Sequence, residues 1–141
     1  MIIKQLSVFL ENKSGRLTEV TEALALANIN ISAFSVADTA DYGVLRLIVN
    51  KPEEAEKILK RKNFSVDITS VIGLVVPHEP GGLHRALKIL SSEGIDVVYM
   101  YAFALSNRAT VILRTDAPEQ TISVLEHHKM ELVKASDIYE I

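Results

Sequence analysis

The residues best equipped for chemistry in this chain are its four histidines and a few polar neighbours, and their spacing argues against catalysis. His127 and His128 close a predicted helix, where adjacent side chains point about 100° apart and cannot hold one ion together. His78 and His84 lack the i, i+4 spacing of a chelating helical pair. The chain has no cysteine, so thiolate ligands, a thiol nucleophile and disulfides are all excluded. Ser14 sits in no G-x-S-x-G elbow, and Glu79 beside His78 is a poor acid–base pair, because adjacent residues rarely converge on one reacting atom. Gly81-Gly82 lacks the spaced glycines and the following Lys-Ser/Thr of a phosphate loop. The expectation is a protein that is not an enzyme, with no metal and no cofactor.

Bulk properties narrow the partners. A net charge of −3 and a pI near 5.8 are opposite to the basic footprint that nucleic acid demands. The densest basic run, Lys57, Lys60, Arg61 and Lys62, falls at a predicted helix end, where cations complement the helix dipole. No stretch reaches the ~20 apolar residues of a membrane-spanning helix. The start, MIIKQLSVFL, lacks a secretion signal's basic region and cleavage site. These features predict a soluble, cytoplasmic protein that binds neither nucleic acid nor membrane.

The remaining polar clusters are two turns, and they recur. Gly15 falls on Gly81 at a shift of 66 residues (81 − 15 = 66), and the same shift superposes Leu17 on Leu83, Leu24 on Leu90, Ile29 on Ile95 and Pro52-Glu53 on Pro118-Glu119. An ungapped repeat means two copies of one supersecondary module, with boundaries at 1–70 and 71–141. In the first copy Gln5–Leu10 alternates as a strand, then breaks at Asn12-Lys13-Ser14-Gly15. Leu17, Val20, Leu24 and Ala27 form the apolar stripe of a helix, which Asn28 ends as Gly94 does in the second copy. Strands over 31–36 and 44–49 flank a turn at 38–43. Pro52 opens a second helix, with Ala55, Ile58 and Leu59 inward, and residues 64–70 close the copy as a strand. The second copy repeats the order with strands at 71–76, 97–103 and 109–114, helices at 83–92 and 118–127, and a closing strand over 132–138. β-α-β-β-α-β is the ferredoxin-like split βαβ arrangement: an α+β fold of two tandem modules, each an antiparallel sheet with helices on one face. In the second copy Tyr99, Tyr101 and Phe103 share one strand face and Val98, Met100 and Ala102 the other. Such an apolar surface predicts a second layer from another chain, a homo-oligomer such as a dimer; scattered exposed aromatics are the alternative.

The turns also carry a family resemblance. Copy one reads L-E-N-K-S-G-R-L from Leu10 to Leu17 and A-N-I-N-I from Ala27 to Ile31. Copy two reads V-P-H-E-P-G-G-L from Val76 to Leu83 and E-G-I-D-V from Glu93 to Val97. This pattern, twice in one register, resembles the ACT domain, a small regulatory module that binds amino acids. The resemblance spans essentially the whole chain and leaves no residues for an attached enzyme. It implies a ligand at the interface of two modules, held by the first strand–helix loop of one and the start of the second strand of the other. The implied ligand-binding residues are Asn12, Lys13, Ser14, Gly15, Arg16 and Leu17 with Asn30 and Ile31 in copy one. In copy two they are His78, Glu79, Pro80, Gly81, Gly82 and Leu83 with Asp96 and Val97. Amides after either glycine would receive a carboxylate, and Asn oxygens or the Asp96 carboxylate an ammonium. Copy two departs from the family pattern at His78 and Asp96, copy one at Ser14, where proline is common. The implied function is an amino-acid-binding sensor with a free amino acid as ligand and a regulated enzyme as partner. The alternative is a non-catalytic interaction scaffold with degenerate sites.

Overall fold

The computed structural model describes residues 2–11, 14–38 and 42–139. The elements run β1 (Ile2–Glu11), α1 (Arg16–Leu26), β2 (Ile31–Asp38), β3 (Tyr42–Val49), α2 (Pro52–Arg61), β4 (Ser65–Pro77), α3 (Gly82–Ser92), β5 (Val97–Leu105), β6 (Arg108–Thr115), α4 (Pro118–His127), β7 (Glu131–Leu132) and α5 (Ala135–Tyr139). The chain divides into two compact units. One comprises Lys4–Thr69 with Ser136–Ile141, and is called here the N-terminal module. The other, the C-terminal module, comprises Met1–Ile3 with Ser70–Ala135. The boundary falls inside the 13-residue strand β4.

Each module has the predicted β-α-β-β-α-β order, with strands ordered β2-β3-β1-β4 in the N-terminal module and β5-β6-β4-β7 in the other. The ladders repeat at the sequence shift of 66. Glu11 faces Tyr42 as Pro77 faces Arg108, and Val8 faces Leu45 as Leu74 faces Val111. A register irregularity between Ile31 and Ala33 recurs between Val97 and Tyr99. The duplication is therefore structural, down to the bulge.

Alternation and helical period explain the two cores. Leu6, Val8 and Leu10 of β1 and Leu45, Leu47 and Val49 of β3 pack with Val20 and Leu24 of α1 and Ala55 and Leu59 of α2. Leu74, Val76, Val111 and Leu113 pack likewise with Ala86, Leu90 and Leu125. α2 carries Pro52 in its first turn with Glu53 and Glu54, and Lys60 and Arg61 in its last. That charge order matches the helix dipole at both ends.

Two expectations change. The apolar stripe of α1 does not include Leu17, which is 43% exposed, whereas Ala27 packs against the core as expected but from the C-cap position just past the helix end. The closing strand expected over 132–138 is cut to Glu131–Leu132, and the chain then forms α5. The reason lies on β4. Val133 still donates its N–H to the Gly73 carbonyl at 2.8 Å. A Cβ at Gly73 would lie 2.9 Å from Val133 Cβ and 3.0 Å from Ile3 Cδ1, so both side chains pack over this glycine. Upstream, β4 is flanked by β1, which leaves no edge for a longer β7. In the N-terminal module Ile138 of α5 is fully buried and Tyr139 Oη accepts the Lys4 N–H at 2.8 Å.

The three most exposed large apolar residues on the described strands, Phe34, Val98 and Val36, lie on the edge strands β2 and β5. Phe34 and Val36, on edge strand β2, are 66% and 51% exposed although they stand opposite the core residues Leu47 and Leu45. Val98 and Met100 repeat this on edge strand β5, while Tyr99, Tyr101 and Phe103 are half-buried.

Two predictions arise from polar groups that support this frame. The Lys4 ammonium pairs with Glu53, and this hydrogen bond holds the Glu53 carboxyl below the usual carboxylate value of 4.5. A depressed carboxylate contributes stability above its unfolded pKa and loses it as pH falls through the folded value. The Glu53 carboxyl carbon should therefore titrate below pH 4.5 by NMR and shift upward in Lys4→Gln. The second concerns Thr115 and Thr121, buried with their hydroxyls 2.7 Å apart; Thr121 also donates to the Ala117 carbonyl. The first copy has Val49 and Ala55 at the matching positions. Thr121→Ala strands the buried Thr115 hydroxyl and should cost about 1–2 kcal/mol. Adding Thr115→Val should restore part of that loss, which a urea double-mutant cycle would measure.

Candidate functional site

The two strand–helix turns share one geometry. Gly15 caps α1 at φ 88°, ψ −7°, and Gly81 caps α3 at φ 88°, ψ −9°. Only glycine takes this left-handed conformation without strain. Neither cap carries a side-chain hydrogen bond to the helix, so no cap side chain satisfies the first-turn amides.

Their surroundings differ. In the first turn Ser14, Gly15 and Leu17 are exposed and Arg16 is half-buried, while Asn12 and Lys13 lie outside the described residues. Arg16 bridges Glu19 at 2.9 Å and Glu11 at 3.2 Å, and its guanidinium lies 5.2 Å from the Phe64 ring centroid. The hydrogen bond to Glu19, then that to Glu11, raises its pKa above the ordinary arginine value. In the second turn His78, Glu79, Pro80, Gly81 and Leu83 are exposed, but Gly82 is buried. A Cβ at Gly82 would fall 2.2 Å from the Pro77 carbonyl oxygen, so the turn closes onto its own backbone. His78 N–H donates to Asn107 O, Glu79 N–H to Pro77 O and Gly82 N–H to Glu79 O, at 2.7, 2.9 and 3.1 Å. Glu79 pairs with Arg85 at 2.9 Å. Much of the second turn's polarity is thus spent internally.

Asn30 and Asp96 are exposed at the starts of β2 and β5, and Ile31 and Val97 beside them are half-buried. The Asn30 N–H donates to Asn50 Oδ1 at 3.0 Å, and the Asn50 N–H returns to the Asn30 carbonyl at 3.2 Å. Asn50 was not a predicted site residue; its only sequence signal is a polar residue between a strand and a Pro-led helix. Within one module, turn and strand start are far apart. The 11-residue helix α1 separates them by about 16 Å at 1.5 Å per residue. They also sit at opposite ends of β3, since Tyr42 pairs with Glu11 and Val49 with Ile31. One free amino acid cannot touch both.

Among the described residues no three His, Asp or Glu side chains cluster as a metal site. The His127 and His128 rings stand edge to face with centroids 5.5 Å apart. No helix among them is long and apolar enough to cross a membrane.

The model of the ACT domain pair matches residues 1–141. The chain belongs to the ACT domain pair family. Its fold is closely similar to protein BT0572 from Bacteroides thetaiotaomicron, at 51% identity and a TM-score of 0.96, covering 100% of this chain and 98% of that one. It is also similar to the regulatory subunit of aspartate kinase from Thermus thermophilus in its ligand-free form. There the identity is 14%, the TM-score 0.66, and the coverage 88% of this chain and 91% of the other. The corresponding subunit from Thermus flavus gives 14% and 0.62, over 88% and 90%. At that identity the likeness shows the fold. No curated protein matches this chain. ACT pairs are small-molecule-binding regulatory modules, and no catalytic family is indicated for this one.

Proposed function

We propose that this ACT pair is a sensor of a free amino acid, with the ligand held by the strand–helix turn of one module and the second-strand start of another. The observation that carries the reading is the left-handed glycine cap recurring at both turns of a chain that belongs to this family. The separation of about 16 Å within a module supports taking the two halves of the site from different modules. The carboxylate meets amides after Gly15, where the helix dipole favours an anion. The ammonium meets Asp96, or Asn30, at the strand start. The second turn, whose Gly82 amide and Glu79 carboxylate are already engaged, is the weaker partner and fits the degenerate-site alternative.

Occupancy is reported to a regulated enzyme or through a cytoplasmic homodimer, which requires the ligand to prefer one of two conformations. A thermal-shift screen of the twenty amino acids tests this. At a hundredfold excess over Kd the ligand stabilises by about 2.7 kcal/mol, roughly 8 °C for a chain of this size. One saturable hit lost in Asn12→Ala or Asp96→Ala supports a sensor; a flat screen favours the scaffold.

A further inference from the structure

We propose that the C-terminal module carries a second small-molecule site, a cleft that takes a compact apolar monocarboxylate. The cleft is open to solvent and has a volume of about 370 Å³ at the ends of β4, β6 and β7, near the low end of small-ligand pockets. Val75, Val76, Pro77 and Met130 form an apolar floor, and Asn107, Arg108, Lys129 and Glu131 a polar rim. The cleft adjoins the second turn through Pro77 and through Asn107, whose carbonyl accepts the His78 N–H, but its floor and its charged rim residues are separate from the residues of the amino-acid reading.

The duplication supplies the comparison. At the shift of 66, Val75 matches Phe9, Arg108 matches Tyr42, Lys129 matches Asn63 and Met130 matches Phe64. In the N-terminal module Phe9 and Tyr42 pack edge to face with centroids 6.1 Å apart, and Phe64 lies beneath Arg16. The C-terminal module has exchanged all three rings for aliphatic or cationic side chains, and the cleft lies where those changes meet. Its backbone has the same register, so bulk and charge differ while the frame does not.

Lys129 is the second, independent observation. Its φ is 59°, against 67° for Asn63 at the same place after the preceding helix. Asparagine tolerates this left-handed position better than lysine does. A lysine there, at the rim of a cleft, is a strained choice that fits a role for its ammonium. Arg108 pairs with Glu131, so the two cancel. Lys129 has no ion pair among the described residues and leaves the cleft one positive charge. One carboxylate on a small apolar body complements that charge and the Val–Pro–Met floor.

The test is an amide-resolved NMR titration of the whole chain with isovalerate and benzoate, and with isovaleramide and valine as matched controls. Saturable shifts at Asn107, Lys129, Met130 and Glu131 with either acid, and about tenfold weaker ones with the amide, are expected for loss of one charged contact. Lys129→Asn should weaken the acid about tenfold while raising the melting temperature by about 2 °C, since it relieves the left-handed lysine. Val75→Phe with Met130→Phe installs the first copy's residues and should abolish the shifts. No saturable shift with either acid, equal binding of acid and amide, tighter binding of valine, or an undiminished affinity for the acid in Lys129→Asn would each overturn the proposal.

Discussion

Alanine at Gly82 should destabilise the protein by about 3 kcal/mol, while alanine at Gly15 should cost only about 1 kcal/mol. Both glycines lie at the head of a helix, yet the causes differ. At Gly15 the penalty is conformational: φ is 88°, and a Cβ there meets nothing within 4 Å. At Gly82 the backbone is helical, but a Cβ would lie 2.2 Å from the Pro77 carbonyl oxygen, a backbone atom that cannot rotate away. Relieving that overlap must open the turn and break the Gly82–Glu79 and His78–Asn107 hydrogen bonds. Urea midpoints of the two variants would rank them. Equal losses would mean that the tight second turn is not held as described.

Alanine at Ile138 should cost about 3 kcal/mol, a typical loss for emptying a buried aliphatic site. Ile138 is fully buried in the N-terminal module, although it lies at the end of the second sequence repeat. Leu17→Ala, at a position 43% exposed, should change stability by no more than about 0.5 kcal/mol. The pair of measurements inverts what the sequence pattern alone would suggest. If Ile138→Ala proves harmless, α5 is not docked as the structure has it.

Those two residues also show where sequence reasoning reached and where it stopped. The repeat, both β-α-β-β-α-β orders and the limits of α4 were legible because period, proline starts and left-handed caps are local signals. Asn28 at φ 57° and Gly94 at φ 73° end their helices as their residue types suggested. The residues after Leu132 misled because L-V-K-A-S-D-I alternates well enough for a strand. Whether a strand forms there depends on a free edge, and upstream β4 is flanked by β1, distant in sequence. Leu17 misled because a helix's stripe identifies a face but not how far the sheet beneath extends. The glycine turns of the candidate site were visible as motifs. Asn50 was not, since its bond to Asn30 joins residues 20 apart across two strands. The closure of the second turn was hidden as well, because it depends on where the Pro77 carbonyl points.

The most direct test of the sensor reading is an amide-resolved NMR titration with the amino acid that most raises the melting temperature. The account predicts saturable shifts at Gly15, Arg16 and Leu17 together with Asp96 and Val97 or Asn30 and Ile31. Shifts confined to one turn and no strand start, or none with any amino acid up to about 10 mM, would contradict it.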